Sequence, residues 1–245
     1  MNSRIILIAA VLITASLACS LELPSFSAET ITGSGNIVTQ EPAITDFDKV
    51  DVSHSFNVEI TQADSYNVTI RVDDNLVDRL LVEKQGDTLK IGLKPDFTLR
   101  VKNATLEAEV SMPELTALDL SGASFTSISG FSSDEDLVVD VSGASSLQGD
   151  IEAGDAGIDA SGASNVRLTG SSGNLKIGAS GASSIKLEDF LAGDANIDAS
   201  GASNVTVNIS GRLDAEASGA SNVYYLGNPT LGTIDTSGAS NVEAK

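Results

Sequence analysis

Two alternating patterns run through most of the chain, and both flank one tetrapeptide. Ahead of Ser-Gly-Ala-Ser stands an apolar–acidic–apolar triplet, as in Ile158-Asp159-Ala160 and Ile197-Asp198-Ala199. Behind it stands polar–apolar–polar–apolar, as in Asn165-Val166-Arg167-Leu168 and Asn204-Val205-Thr206-Val207. A period of two is the signature of a strand with one buried face. The tetrapeptide recurs seven times, from Ser121, Ser142, Ser161, Ser180, Ser200, Ser218 and Ser237, at steps of 21, 19, 19, 20, 18 and 19. Its glycine marks a corner where the backbone turns and neighbours pack closely. A second turn signal follows in each unit, such as Gly170-Ser171-Ser172-Gly173-Asn174 or Gly227-Asn228-Pro229. Each unit therefore reads as strand, corner, strand, turn.

One such unit cannot bury its own apolar face, whereas a stack of units can, each strand pairing in parallel with its equivalent one coil away. The spacing predicts an all-β fold: a single-stranded, right-handed parallel β-helix (solenoid) of about 19 residues per coil and roughly ten coils. The turn spacing predicts three faces per coil. Inward Ala160, Ala179, Ala199 and Ala217 predict a thin cross-section on that side. A leucine-rich or other helical solenoid is excluded, because no repeat has a helical apolar period and Gly and Ser crowd every unit.

Upstream, Asp51 to Ile60 lines up with Asp159 to Leu168, with bulkier residues in place of Gly and Ala. Asn67 to Val72 and Thr88 to Leu93 also alternate. Asp74 to Glu83 carries helical spacing at Leu76, Val77, Leu80 and Leu81, and predicts a short helix or long loop that caps the stack. Residues 43–118 thus read as degenerate coils and 119–245 as regular ones, together one domain over 43–245. Terminal coils expose unpaired strand edges, so each end requires a cap or a partner.

At the N-terminus, a weakly basic Met1 to Arg4 precedes an apolar run, Ile5 to Ala18, too short to span a bilayer comfortably. It ends Ala15-Ser16-Leu17-Ala18-Cys19, which resembles a bacterial lipoprotein signal. Residues 1–19 are expected to be that signal, Cys19 the lipidated residue, and 20–42 a polar tether. The expected location is the cell envelope, lipid-anchored and extracytoplasmic. One Cys leaves no disulfide framework, in keeping with that reading.

The chain carries 34 Asp and Glu against 14 Lys and Arg, a formal charge of −20, which argues against a nucleic-acid partner. Gly33-Ser34-Gly35-Asn36-Ile37-Val38, Phe47 to Val52, Phe56 to Ile60, Asp74-Asn75-Leu76 and the recurring Ser-Gly-Ala-Ser resemble the putative auto-transporter adhesin head GIN domain family. Tyr224-Tyr225-Leu226-Gly227-Asn228-Pro229 is similar to that family's C-terminal end. The resemblance spans about 33–245 and implies a β-helical bacterial envelope domain, often a lipoprotein, without an assigned activity.

The sharpest candidate chemistry is the residue two before each tetrapeptide: Asp119, Asp140, Asp159, Gly178, Asp198, Glu216 and Asp235. Stacked one rung apart, such carboxylates repel by about 0.9 kcal/mol per pair in water. The row must therefore face solvent or hold cations, Ca²⁺ being the ion that favours several carboxylate oxygens. As a solvated stripe it keeps the repeat soluble, and this is the preferred reading. Gly154-Asp155-Ala156 and Gly193-Asp194-Ala195 faintly echo a calcium-binding nonapeptide, but they lie 39 residues apart instead of about nine. Asn165, Ser184, Asn204, Asn222 and Asn241 form a second row whose amides can hydrogen-bond along the stack. Tyr224 and Tyr225 are either a ligand-stacking pair or a terminal hydrophobic cap. His54 is the sole imidazole and sits in a degenerate corner, so a Ser–His–Asp site is not expected. The sequence reads as a non-catalytic, adhesin-like binding or spacing module without a cofactor, with a membrane, a surface glycan or a protein as partner. The alternatives are a polysaccharide-binding or polysaccharide-cleaving β-helix and a structural envelope component without a ligand.

Overall fold

The computed structural model describes residues 29–95 and 99–245, so the signal and Cys19 lie outside the described residues. The chain divides into two compact units. The unit formed by 1–31 and 96–102 contains a two-stranded sheet, Glu29–Thr32 with Leu99–Lys102. The other, 32–95 and 103–245, is a parallel β-solenoid made of a ten-stranded and an eleven-stranded sheet.

Each regular coil gives one short strand before the tetrapeptide and one longer strand after it. Leu137–Val141, Ala156–Ala160, Leu175–Ala179 and Ala195–Ala199 are successive short strands; Ser146–Glu152, Asn165–Ser172, Ser184–Ala192 and Asn204–Ile209 are the long ones. Pairing is parallel and in register, coil on coil, for example Asp140 beside Asp159 and Val166 beside Ile185. The expected three faces resolve into two hydrogen-bonded sheets. The extra turn signal is a bulge inside the long strand: the register shifts between Ile128 and Phe131 and again between Arg167 and Gly170. Gly130 and Gly170, with φ of 78° and 119°, supply the bend without breaking the strand.

The coil count is also lower than expected. Nine rungs are parallel in each sheet, and six full turns separate the first tetrapeptide from the last. The remaining strands are antiparallel. Leu80–Gln85 pairs with Thr88–Leu93 at the edge of one sheet. Asn67–Asp73 pairs with Leu106–Met112, and Ile37–Gln40 with Asn67–Asp73, at the edge of the other. Ile37–Gln40 therefore belongs to a sheet, although 20–42 is expected to be a tether. The helical spacing after Asp73 becomes a 3-10 helix, Asp74–Arg79, with Leu76 fully buried. Sequence order is not stacking order here: Lys49–Val52 lies between Thr88–Leu93 and Ala117–Leu120.

Between the sheets the inward side chains form continuous aliphatic rows. Val58, Leu147, Val166, Ile185, Val205 and Val223 are all buried, as are Ala160, Ala179, Ala199 and Ala217 on the facing side. At each corner the glycine has a left-handed φ, 67° to 75°. The following alanine N–H donates to the preceding rung's glycine carbonyl, as Ala182 N to Gly162 O at 2.7 Å. The fourth residue, serine, turns inward. Ser164, Ser203 and Ser221 are fully buried and donate to the carbonyls of Val141, Ala179 and Ala199. The tetrapeptide is thus a hydrogen-bonded ladder in its own right.

Candidate functional site

Strand alternation exposes one row from each short strand. Register places Asp119 beside Asp140, Asp140 beside Asp159, Gly178 beside Asp198, and Glu216 beside Asp235. The structure adds two members. Asp51 stands beside Asp119, and Lys90 beside Asp51, where Lys90 Nζ donates to Asp51 Oδ2 at 2.8 Å. On the antiparallel edge strand Glu83 stands beside Lys90, so this cation sits between carboxylates. Partial burial, helped by Asp51 and Asp140, pushes the Asp119 carboxyl up from its ordinary pKa; burial and Asp159 do the same for Asp140. The Asp51 hydrogen bond and charge raise the Lys90 ammonium. The gap at Gly178 is occupied sideways: a Cβ there would collide with the Asp159 carboxylate. A groove of about 230 Å³ follows the row, lined by Asp140, Asp159, Asp198, Ser142, Ser161 and Ser180. Among the described residues no three carboxylate, histidine or cysteine groups converge as one metal would need.

A second set of carboxylates caps the turns. Asp136 Oδ1 accepts Asp155 N–H at 2.8 Å, Asp155 Oδ1 accepts Asn174 N–H at 2.7 Å, and Asp194 Oδ1 accepts Arg212 N–H at 2.7 Å. The Asn174 backbone N–H, with the Asn174 side-chain amide, holds the Asp155 carboxyl below the usual range. Asp155 and Asp194, which faintly echo a calcium motif in the sequence, thus spend an oxygen on the next rung's backbone. Asp214, forked by Arg212 and bonded by Thr233 N–H, falls to about 2.

The long strands present the other outer face. Asn222 Nδ2 donates to Asn204 Oδ1 at 3.1 Å and Asn241 Nδ2 to Asn222 Oδ1 at 3.3 Å, so an amide ladder runs along the last three rungs. Beside it lies a row with Arg167 next to Lys186, Lys186 next to Thr206, and Thr206 next to Tyr224. Tyr224 and Tyr225 do not act together. They are consecutive in one strand and point to opposite faces, Tyr224 outward and Tyr225 into the row of buried Val207. His54 Nδ1 shares a hydrogen bond with Ser53 Oγ at 2.7 Å and faces Leu93 N–H at 3.4 Å; no acid hydrogen-bonds its ring among the described residues.

The family model described as "Putative auto-transporter adhesin, head GIN domain" matches residues 46–229. The chain belongs to this family. Its match to the head GIN domain covers every rung from Lys49–Val52 to Asn222–Gly227. Among solved structures it is similar to a putative adhesin from Bacteroides fragilis, at 19% identity and a TM-score of 0.78, covering 88% of this chain and 100% of that one. It is also similar to a putative lipid binding protein from Parabacteroides distasonis, at 22% identity and a TM-score of 0.68, covering 89% and 100%. A putative adhesin from Parabacteroides merdae follows at 18% identity and a TM-score of 0.64, with the same coverage. These likenesses are to the fold. No curated protein matches the chain. Among the described residues no helix is long and apolar enough to cross a membrane.

Sequence reasoning missed two features of this head GIN domain that its own offsets carry. Asp51 joins the acidic row because 51–60 aligns with 159–168. Arg167 and Lys186 share one offset from their tetrapeptides, six residues after the first serine, and so had to be neighbours. Asp73 had no such signal. It is buried, and its carboxylate accepts Gly35 N–H at 2.6 Å and Thr105 N–H at 2.7 Å, joining segments far apart in sequence.

Proposed function

We propose that this chain is a non-catalytic, adhesin-type module, held at the cell envelope by lipid on Cys19, that binds an extended partner along an outer sheet face. The observation that carries the reading is the construction of those faces. Nine parallel rungs align their outward residues into long, mostly polar rows, while grooves of about 230 and 760 Å³ lie on the outside of the short-strand sheet. Flat repetitive rows suit a long or repetitive partner better than a small enclosed substrate. A lipid ligand, the one in the name of the Parabacteroides distasonis neighbour, would need an apolar hollow. Here the space between the sheets is filled, with Phe47, Phe56 and Phe190 fully buried.

The test has two parts. Full-length protein and its Cys19→Ser variant are expressed in a bacterial host, fractionated, and the mature N-terminus weighed. A diacyl or triacyl mass on wild type and release of the variant from membranes are expected; an unmodified wild-type N-terminus overturns the anchor. The soluble domain is then screened on surface glycans. Saturable binding with unchanged glycan length is expected. Shortened products would move the reading to the polysaccharide-cleaving alternative, and no binding to any surface to the structural one.

A further inference from the structure

The geometry points to Arg167 and Lys186 as the anchor of a binding row for an anionic polysaccharide on the long-strand face. This deepens the surface-binding reading and rests on it. Arg167 and Lys186 are adjacent in register, both are exposed, and neither makes an ion pair or hydrogen bond among the described residues. Like charges directly across neighbouring strands are unfavourable. In a chain with 34 carboxylates and 14 bases, an exposed Arg over an exposed Lys with no ion-pair partner is a local cationic spot that a ligand's negative groups would complement.

Glu243 closes the row beside Tyr224, and two other acids on that face are already engaged. Asp150 Oδ2 accepts Gly130 N–H at 3.0 Å, and Glu188 is held by Lys245 Nζ at 2.9 Å, feeling Arg167 only at a distance. The acidic row lies on the outside of the opposite sheet.

The neighbours name the ligand class. Asn204 uses one acceptor in the amide ladder and Asn222 one donor and one acceptor, and each retains further donors or lone pairs for sugar hydroxyls. Two rungs beyond Lys186, Tyr224 faces the same side and offers one aromatic surface for a pyranose ring. Rungs about 4.8 Å apart advance close to one sugar per rung along an extended chain. An acidic peptide would find the two cations but would leave the amides and the ring without a role.

The probe is polygalacturonate, with chondroitin sulfate as a sulfated arm, dextran as a neutral arm and double-stranded DNA as an unrelated polyanion. Affinity electrophoresis and calorimetry use the whole mature chain. The expected result is saturable binding to polygalacturonate or chondroitin sulfate; binding to polygalacturonate shows that a carboxylate suffices, and binding to chondroitin sulfate alone that the sulfate is required. It should weaken at least tenfold in R167Q/K186Q and at least threefold in Tyr224→Ala, and remain in K84Q/K176Q, which removes the same charge elsewhere. Circular dichroism confirms that each variant melts as wild type does. No binding to either acidic glycan, equal binding of DNA, or equal loss in K84Q/K176Q overturns the assignment. Binding to dextran that survives R167Q/K186Q overturns it too, while leaving the surface-binding reading intact.

Discussion

Gly181 shows how much one residue can decide in a stacked fold. Its φ of 72° is left-handed, and a Cβ would strike the Gly162 carbonyl oxygen that Ala182 N–H uses to join the rungs. The left-handed conformation alone costs a side chain about 1–2 kcal/mol, and the collision adds to it. Gly157 has no positive φ, and a Cβ there would meet only the Leu137 carbonyl oxygen, at an ordinary contact distance of 4.0 Å. Urea unfolding should therefore show Gly181→Ala losing at least about 2 kcal/mol, with Gly157→Ala within about 0.5 kcal/mol of wild type. Equal effects would mean that the corner conformation is not what makes the glycine necessary. Thr126 carries the opposite prediction. It is fully buried in the aliphatic row between Val58 and Leu147, and its hydroxyl has no partner. An orphaned buried hydroxyl costs about 1–3 kcal/mol, so Thr126→Val should raise stability by about 1 kcal/mol or more in the same measurement. A loss of stability would place an unseen partner on that oxygen.

At the scale of an element, the acidic row sets the response to pH. Asp119 and Asp140 have carboxyls raised by burial and by neighbouring carboxylates, so the folded state binds more protons than the unfolded one just above the ordinary carboxylate range. Stability then falls as pH rises through that window and is regained on acidification. Asp155, Glu188 and Asp214 are shifted down by their hydrogen bonds, and their contribution is lost as pH drops below about 4 toward the about 2 of Asp214. The melting temperature should climb from pH 7 to about pH 4–5, then fall. Asp119→Asn should flatten the upper limb and leave the lower one. A melting temperature that does not rise as the pH falls toward the ordinary carboxylate range would show the row too well solvated to matter. As a solvated stripe, the row should give calcium no saturable heat in calorimetry; a stoichiometric binding isotherm would convert it into a metal site.

Much of this element was legible because rung offset converts directly into adjacency. The Asp119 to Asp235 row, the Asn204 to Asn241 amides and the inward alanines all follow from the recurrence of Ser-Gly-Ala-Ser. What escaped had no repeat to report it. Gly170 signals a turn in any local reading, yet parallel pairing on both sides keeps its strand continuous and makes it a bulge. The rung at Lys49–Val52 is inserted between rungs that follow it in sequence, a matter of long-range pairing on which local period is silent. Tyr224 and Tyr225 look like a pair in one dimension, and the same alternation that predicts the strand separates them.

At the scale of the solenoid, the two ends are unlike, and this has a measurable consequence. The expectation that both terminal coils need covering holds at one end, where Leu80–Gln85 and Asn67–Asp73 close the sheets with antiparallel strands and Leu76 plugs the interior. At the other, Thr230–Thr236 and Asn241–Ala244 are paired on one side only. Their inward residues are left open: Leu231 is 50% and Ile234 36% exposed, whereas Leu213 and Ala215, their partners one rung further in, are buried. A stack in which each rung touches only its neighbours loses protection from an uncovered end inward. Hydrogen exchange followed by mass spectrometry should show Thr230–Thr236 exchanging first and Arg212–Ala217 next, with Leu137–Val141 and Ala156–Ala160 slowest. The antiparallel strand Asn67–Asp73 should be protected nearly as well as the central rungs, because Asp73 ties it to Gly35 and Thr105. Asp73→Ala, which strands both N–H groups, should accelerate exchange at that end alone. Uniform exchange along the stack in wild type would mean that the rungs unfold as one cooperative block, and that an open last rung costs the others nothing.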